Sequence, residues 1–277
     1  MDYSALKIFC PEEWKDIMIA ELDIAGFDMM LETENGVEAY IEVEKQHSGL
    51  VDSLVKKYGS IKGFHYSWEN IQEENWNAEW EKNYEPVIIE EKCLVRADFH
   101  QIEGSFEHEL IITPKMSFGT GHHATTYLML SELMNINLEG KKVMDAGCGT
   151  GVLSIMAEKK GATEIFAFDI GEWCVENTED NIEKNHCHNI QVALGTIDSV
   201  SISNTYDVLL ANINKNVLIA DMPQYAKYLN KTGILLLSGF FVTDISDLEK
   251  EAKHNNFIIE HKEQKDGWAV LRLKLNP

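Results

Sequence analysis

The sequence predicts an α/β protein built on a doubly wound, mostly parallel sheet, with a smaller α+β unit ahead of it. From residue 142 onward, short apolar runs alternate with amphipathic helical patterns, the rhythm of strand-helix-strand units. At the first of these runs, Val143-Met144-Asp145-Ala146-Gly147-Cys148-Gly149-Thr150-Gly151 sets three alternate glycines where a strand turns into a helix. Residues 1–60 carry a separate pattern of strand, helix, hairpin and helix. With 277 residues, 44% of them hydrophobic, the chain can bury two cores.

The small unit is read first. Residues 5–9 form a short apolar strand, and Trp14, Ile17, Met18, Leu22 and Ala25 then fall on one face at helical spacing. Beyond a turn at Glu34-Asn35-Gly36, Val37, Ala39, Ile41 and Val43 alternate with Glu38, Tyr40 and Glu42, as in a half-buried strand. A second helix is expected over 48–57, which completes an α+β domain of split βαβ type over residues 1–60. Residues 61–86 read as a linker in which Trp76, Trp80 and Tyr84, recurring every four positions, share one helix face. The remaining domain, 87–277, opens with strand-like runs at 87–99 and 108–113, expected to form a hairpin around the polar loop containing Gly104. Core strands are predicted at 142–145, 164–169, 190–194, 206–211 and 233–238. Runs at 254–260 and 268–275, separated by a charged turn, predict a closing antiparallel hairpin.

Charge narrows the function. With 46 acidic against 24 basic residues and a net charge of -22, the surface repels phosphate backbones and attracts basic partners. This argues against direct nucleic-acid binding and for a lysine-rich protein partner, with solubility alone as the plainer alternative. Apolar runs such as 234–237 are far too short to span a bilayer, and Met1-Asp2-Tyr3 lacks a basic signal-peptide head, so a cytoplasmic monomer without membrane contact is expected. Five scattered cysteines read as reduced thiols. His186-Cys187-His188 lacks a fourth ligand at suitable spacing and reads as a solvated turn, so no metal is expected.

The glycine motif points to a nucleotide-type pocket. Its Asp-x-Gly-x-Gly-x-Gly spacing is tighter than the Gly-x-Gly-x-x-Gly of dinucleotide folds, and the acid ahead of it would repel a pyrophosphate while suiting the ammonium and sulfonium of S-adenosylmethionine. Asp169 ends the second core strand, where a carboxylate can accept both ribose hydroxyls, although that logic is shared with dinucleotide folds. Asn212 ends the fourth core strand, so its amide carbonyl could accept hydrogen bonds from an incoming amine and align it with a methyl donor. Capping of the helix that starts near Lys215 is the alternative. The segment Phe118-Gly119-Thr120-Gly121-His122-His123-Ala124-Thr125-Thr126 precedes the first core strand and could fold over the cofactor, with Thr126 offering a hydroxyl and either histidine a candidate general base.

These segments together resemble the ribosomal protein L11 methyltransferase family. The family pattern Phe-Gly-Thr-Gly-x-His-Pro-Thr-Thr stands at residues 118–126, the glycine motif at 145–151, the acidic strand end at Asp169 and Ala-Asn-Ile at 211–213. The connector with Trp76, Trp80 and Pro86 also matches, so the resemblance covers nearly the whole chain. It implies a Rossmann-like class I methyltransferase sheet with a ferredoxin-like small domain. It further implies S-adenosylmethionine held by Thr126, Gly147, Asp169 and Asn212, with Asn212 as catalytic residue, and methylation of amines of the ribosomal protein, which the small domain recognises. Ala124 departs from the family's proline.

Three rivals are weighed against this reading. Adenine-N6 and other nucleic-acid methyltransferases follow Asn or Asp with two prolines and an aromatic residue, whereas Asn212 is followed by Ile213-Asn214-Lys215. A non-enzymatic binding module would not need Asn212 in the crevice. An NAD-dependent oxidoreductase conflicts with the glycine spacing.

Overall fold

The computed structural model describes residues 3–45, 49–71, 84–102, 104–113, 115 and 117–276. The chain divides into two compact units, Met1–Tyr84 and Glu85–Pro277.

In the first unit, β1 (Tyr3–Phe9), α1 (Lys15–Ile24), β2 (Met29–Thr33), β3 (Gly36–Glu42), α2 (Gly49–Tyr58) and β4 (His65–Ile71) follow one another. The strands form one antiparallel sheet in the order β2-β3-β1-β4. This is the ferredoxin-like arrangement. Period-two alternation sends Leu6, Ile8, Val37, Ala39 and Ile41 into a core shared with Met18, Leu22 and Leu54 from the helices. The domain boundary expected at residue 60 is too early. β4 pairs along the whole of β1, from Tyr3↔Ile71 to Phe9↔His65, and Trp68 stacks on Phe27 with ring centroids 6.0 Å apart. Without β4, β1 would be an open edge, which is why the sheet continues into what reads as linker. The predicted connector helix with Trp76 and Trp80 lies outside the described residues.

The second unit opens with β5 (Val87–Ile89), β6 (Cys93–Arg96) and β7 (His108–Ile111). The expected hairpin between the two long runs does not form. The first run folds on itself at Glu90 and Glu91, which take φ of 50° and 57°, so that β5 and β6 are the hairpin. β7 returns parallel to β6, because residues 97–107 are a connection long enough to cross back.

The large sheet contains β8 (Lys142–Ala146), β9 (Glu164–Asp169), β10 (Ile190–Leu194), β11 (Tyr206–Asn212), β12 (Leu229–Phe241), β13 (Phe257–Lys265) and β14 (Trp268–Leu275). Their order is β10-β9-β8-β11-β12-β14-β13, parallel except for β14, which runs antiparallel to both its neighbours. This is the doubly wound sheet with its closing hairpin. Residues 254–256, expected as strand, instead end a helix and turn, with Asn256 at φ 61°.

Helices cover both faces. α3 (Ala124–Met134) and α4 (Val152–Lys159) pack on Val143, Ile165, Val208 and Leu210, and the small β5-β6-β7 sheet joins this core. α6 (Lys215–Tyr228) and α7 (Ile245–His254) pack on Met144, Phe166, Leu209 and Leu235. Each large aliphatic or aromatic side chain buried here stabilises by roughly 1.5–3 kcal/mol. α5 (Glu172–Lys184) follows β9. The buried Glu132 carboxylate fastens α3 to the hairpin, meeting His261 Nδ1 at 2.7 Å and Arg272 Nη1 at 3.2 Å. Among the described residues, no helix is long and apolar enough to cross a membrane.

Strand order reverses between β8 and β11, so the loops leaving their carboxyl ends diverge and leave a crevice.

Candidate active site

A cavity of about 310 Å³ fills that crevice, lined among others by Gly147, Gly149, Phe168, Asp169, Asn212 and Ile213. Its floor is the loop after β8. Gly147 and Cys148 both donate backbone hydrogen bonds to the Phe168 carbonyl, at 2.8 and 3.1 Å, which bends the loop across the end of β9. Gly147 has φ 79°, and a Cβ there would lie 2.3 Å from Ile213 Cγ2; at Gly149, φ 57°, it would lie 2.3 Å from the Phe118 carbonyl oxygen. Any side chain at these two positions would push apart the walls of the cavity.

Asp169 ends β9 with both carboxylate oxygens already placed. Oδ2 accepts from the Gly149 N–H at 3.0 Å and Oδ1 from the Gly171 N–H at 3.0 Å. Each oxygen keeps a further lone pair for a ribose hydroxyl. Ile170 and Ile197 supply an apolar wall beside it, suited to the face of a purine.

Asn212 ends β11, in register with Ser238 of β12 and one residue beyond the Ala211↔Ala146 pair with β8. Its Oδ1 is buried without a protein hydrogen-bond partner. The capping alternative is settled by its neighbour: Asn214 caps α6, accepting from the Val217 N–H at 3.2 Å. A buried acceptor without a partner costs about 1–3 kcal/mol, so Asn212 Oδ1 is available to a donor that enters the cavity.

Gly147, Asp169 and Asn212 therefore line one cavity, whereas Thr126 does not. Thr126 is fully buried in the first turn of α3, and its Oγ1 has no partner. Asp145 also departs from expectation. Strand alternation turns Val143 and Asp145 to the α4 face of β8, and Asp145 accepts from Ser154 Oγ at 2.6 Å instead of facing the cavity. Complete burial pushes its carboxyl up to about 7, opposed by the Ser154 hydrogen bond and reinforced by the charge of Asp169. The acid of the motif thus supports the loop from beneath.

The 118–126 segment is clipped to the glycine motif. The Thr150 N–H donates to the Phe118 carbonyl at 2.9 Å, and Thr150 Oγ1 donates to the Gly119 carbonyl at 2.6 Å. Both histidines are engaged structurally. His123 caps α3, its Nδ1 3.3 Å from the Thr125 N–H, and His122 Nε2 lies 2.8 Å from the Glu85 carbonyl. Neither lines the cavity. Ala124, in place of the family's proline, is the residue just after this cap, where proline is tolerated but not required.

Sequence reading missed an aromatic chain that starts at the cavity wall. Phe118 meets His123 edge-on at 5.1 Å, His123 meets Trp268 at 4.7 Å, and Trp268 meets Phe241 at 4.1 Å between ring centroids. The Phe241↔Trp268 strand pair links these rings to β12, the neighbour of Asn212, a juxtaposition that only the closing hairpin creates.

A family model described as ribosomal protein L11 methyltransferase (PrmA) matches residues 12–276. The chain belongs to the ribosomal protein L11 methyltransferase family. Curated members of the family include one from Phocaeicola vulgatus, 37% identical over 265 residues, which cover 95% of this chain and 94% of the relative. Another, from Porphyromonas gingivalis, is 40% identical over 260 residues, 93% of this chain and 89% of the relative. The crystal structure of a ribosomal protein L11 methylase from Lactobacillus delbrueckii subsp. bulgaricus shares the fold, with a TM-score of 0.65 and 23% identity over 70% of this chain and 100% of that one. The cofactor of this methyltransferase is S-adenosylmethionine. The cavity fits it: glycines with no room for a Cβ, a strand-end carboxylate and an unpartnered amide oxygen converge on a space of nucleoside size.

Proposed function

We propose that this chain transfers methyl groups from S-adenosylmethionine to amines of ribosomal protein L11, lysine side chains and the N-terminal amine among them, acting as a cytoplasmic monomer without direct nucleic-acid contact. The observation that carries the reading is Asn212 Oδ1, a buried acceptor with no partner at the end of β11, in the same cavity as Gly147 and Asp169.

When bound, the cofactor supplies an electrophilic methyl carbon on a sulfonium centre. The chain's residues must present a neutral amine to it. For a lysine of reference pKa near 10.4, deprotonation at pH 7 costs about 4–5 kcal/mol. The apolar walls, Phe118, Phe168, Ile197 and Val217, disfavour the ammonium and lower that cost. Asn212 accepts a hydrogen bond from the amine and so orients the nitrogen lone pair. The engagement of His122 and His123 elsewhere supports desolvation and alignment in place of a dedicated base. Gly147 and Asp169 would hold the amino-acid and ribose portions of the cofactor.

The net charge of -22 supports a basic protein as acceptor, and the ferredoxin-like unit is its recognition surface. Incubation with labelled S-adenosylmethionine, unmodified large-subunit proteins and ribosomal RNA in one tube tests the proposal. Label on L11 alone is expected; label on RNA, or on no acceptor, would overturn the substrate assignment.

A further inference from the structure

Asparagine is a poor helix former and costly to bury, yet α5 and its C-cap carry Asn177, Asn181 and Asn185, all buried, four residues apart on an otherwise polar helix. Four helical residues rise about 6.0 Å, close to the roughly 6.6 Å spanned by two residues of extended chain. The three amides therefore repeat at the spacing of a strand edge, and an extended segment docks on them. The Ile111 N–H donates to Asn185 Oδ1 at 2.9 Å, and Asn185 Nδ2 returns a bond to the Ile111 carbonyl at 2.6 Å. The Thr113 N–H donates to Asn181 Oδ1 at 3.0 Å, and Asn177 Nδ2 to the Thr113 carbonyl at 3.0 Å. The Lys115 N–H reaches Asn177 Oδ1 at 3.5 Å. This segment leads into Phe118 and Gly119 at the cavity wall.

Asn181 differs from the other two. Its Nδ2 also donates to the Thr150 carbonyl at 2.9 Å, inside the glycine motif, while Thr150 itself donates to the Phe118 and Gly119 carbonyls. The hydrogen bonds thus close a circuit from Asn181 to Thr113, along the chain to Phe118, across to Thr150 and back to Asn181.

We propose that this asparagine ladder sets the register of Ile111, Thr113 and Lys115, and through them of Phe118 and Gly119, against the glycine motif, and that Asn181 is a positioning residue for cofactor binding. The proposal rests on the cofactor reading of the cavity. Asn185 anchors the same segment through two side-chain bonds, against one from Asn181, but makes none to the motif, so it separates positioning from mere stability. In the full-length protein, Asn181→Ala and Asn185→Ala are both expected to lower Tm. Asn181→Ala alone raises the Kd for S-adenosylmethionine about tenfold, by calorimetric titration, and raises cofactor KM while kcat stays within about threefold. Asn185→Ala leaves Kd within about twofold. Thr150→Val removes the hydroxyl bond to the Gly119 carbonyl while keeping the backbone bonds to Phe118 and Asn181, so it loosens the circuit at its other end and should raise Kd severalfold, with less than additive loss in the double variant. It also decides the matter should Asn181→Ala fail to fold. Equal Kd changes for Asn181→Ala and Asn185→Ala, or an unchanged Kd in Thr150→Val, would overturn the ladder's role. Wild-type protein that leaves S-adenosylmethionine unbound would overturn the cofactor reading, and this proposal with it.

Discussion

The two sides of the crevice are built differently. On the Asp169 side the protein satisfies its own polar groups: both carboxylate oxygens take backbone N–H groups, and the loop amides of Gly147 and Cys148 are spent on Phe168. On the Asn212 side an acceptor is left without a partner, beside apolar walls and an aromatic chain. Groups already paired hold their shape before any ligand arrives, so the first side is pre-organised. A group left unpaired gains most from the species that completes it, which is the basis for the acceptor role proposed for the second side.

The largest perturbation expected to separate the two sides is removal of residues 1–84. Both cores of the second unit are built from residues beyond 86, so this unit retains what it needs to fold. Cofactor Kd should stay within a few-fold while methylation of L11 falls below detection; retained turnover on the intact ribosomal protein would refute the recognition role. Next, Asn212→Ala should lower kcat by about two to three orders of magnitude with little change in cofactor Kd, as loss of nucleophile alignment requires. Equal losses in both parameters would make Asn212 a cofactor ligand only. Asp169→Ala should weaken cofactor binding by roughly 10- to 100-fold, the scale of lost hydrogen bonds to a charged group, and an unchanged Kd by calorimetry would remove it from the ribose site.

The smallest effect concerns pH. Burial pushes the Asp145 carboxyl up to about 7 in the folded protein from an ordinary 3.8, so between these values the folded state binds more protons than the unfolded one. Its stabilising contribution is full below the lower value and is lost as pH rises through the higher. Asp145→Asn should therefore flatten the decline of Tm between pH 5 and 8, and identical wild-type and variant profiles in thermal melts would place the proton elsewhere.

How far the sequence was legible follows from the range of the interactions involved. The core strands at 164–169, 190–194 and 268–275 were read to the residue, because apolar runs bounded by turns need only local pattern. Gly147, Asp169 and Asn212 were legible as cavity-lining positions because each lies at or just past a strand end, and strand ends meet at a switch point. Side-chain parity was not. Asp145 looks like a cavity acid until β8 is placed in its sheet, where it falls on the α4 face. His65-Tyr66-Ser67-Trp68 reads as linker because its partner, β1, lies at the other end of the unit. The asparagine ladder resembles a solvated helix face until Ile111, Thr113 and Lys115 lie against it, although a repeat of asparagines every four positions in a helix is a signal that could be sought.

The order of the closing hairpin bears on how the protein is made. β13 pairs only with β14, and β14 is the strand that joins it to β12. A chain synthesised from its amino terminus therefore exposes β13 before the strand that will hold it exists, and leaves the edge of β12 bare for the same interval. Trp268, which joins His123 to Phe241 in the contact chain from Phe118, arrives with that last strand. The residues that line the cavity, from Phe118 to Asp221, are thus all made before the strand whose Trp268 braces Phe118 through His123.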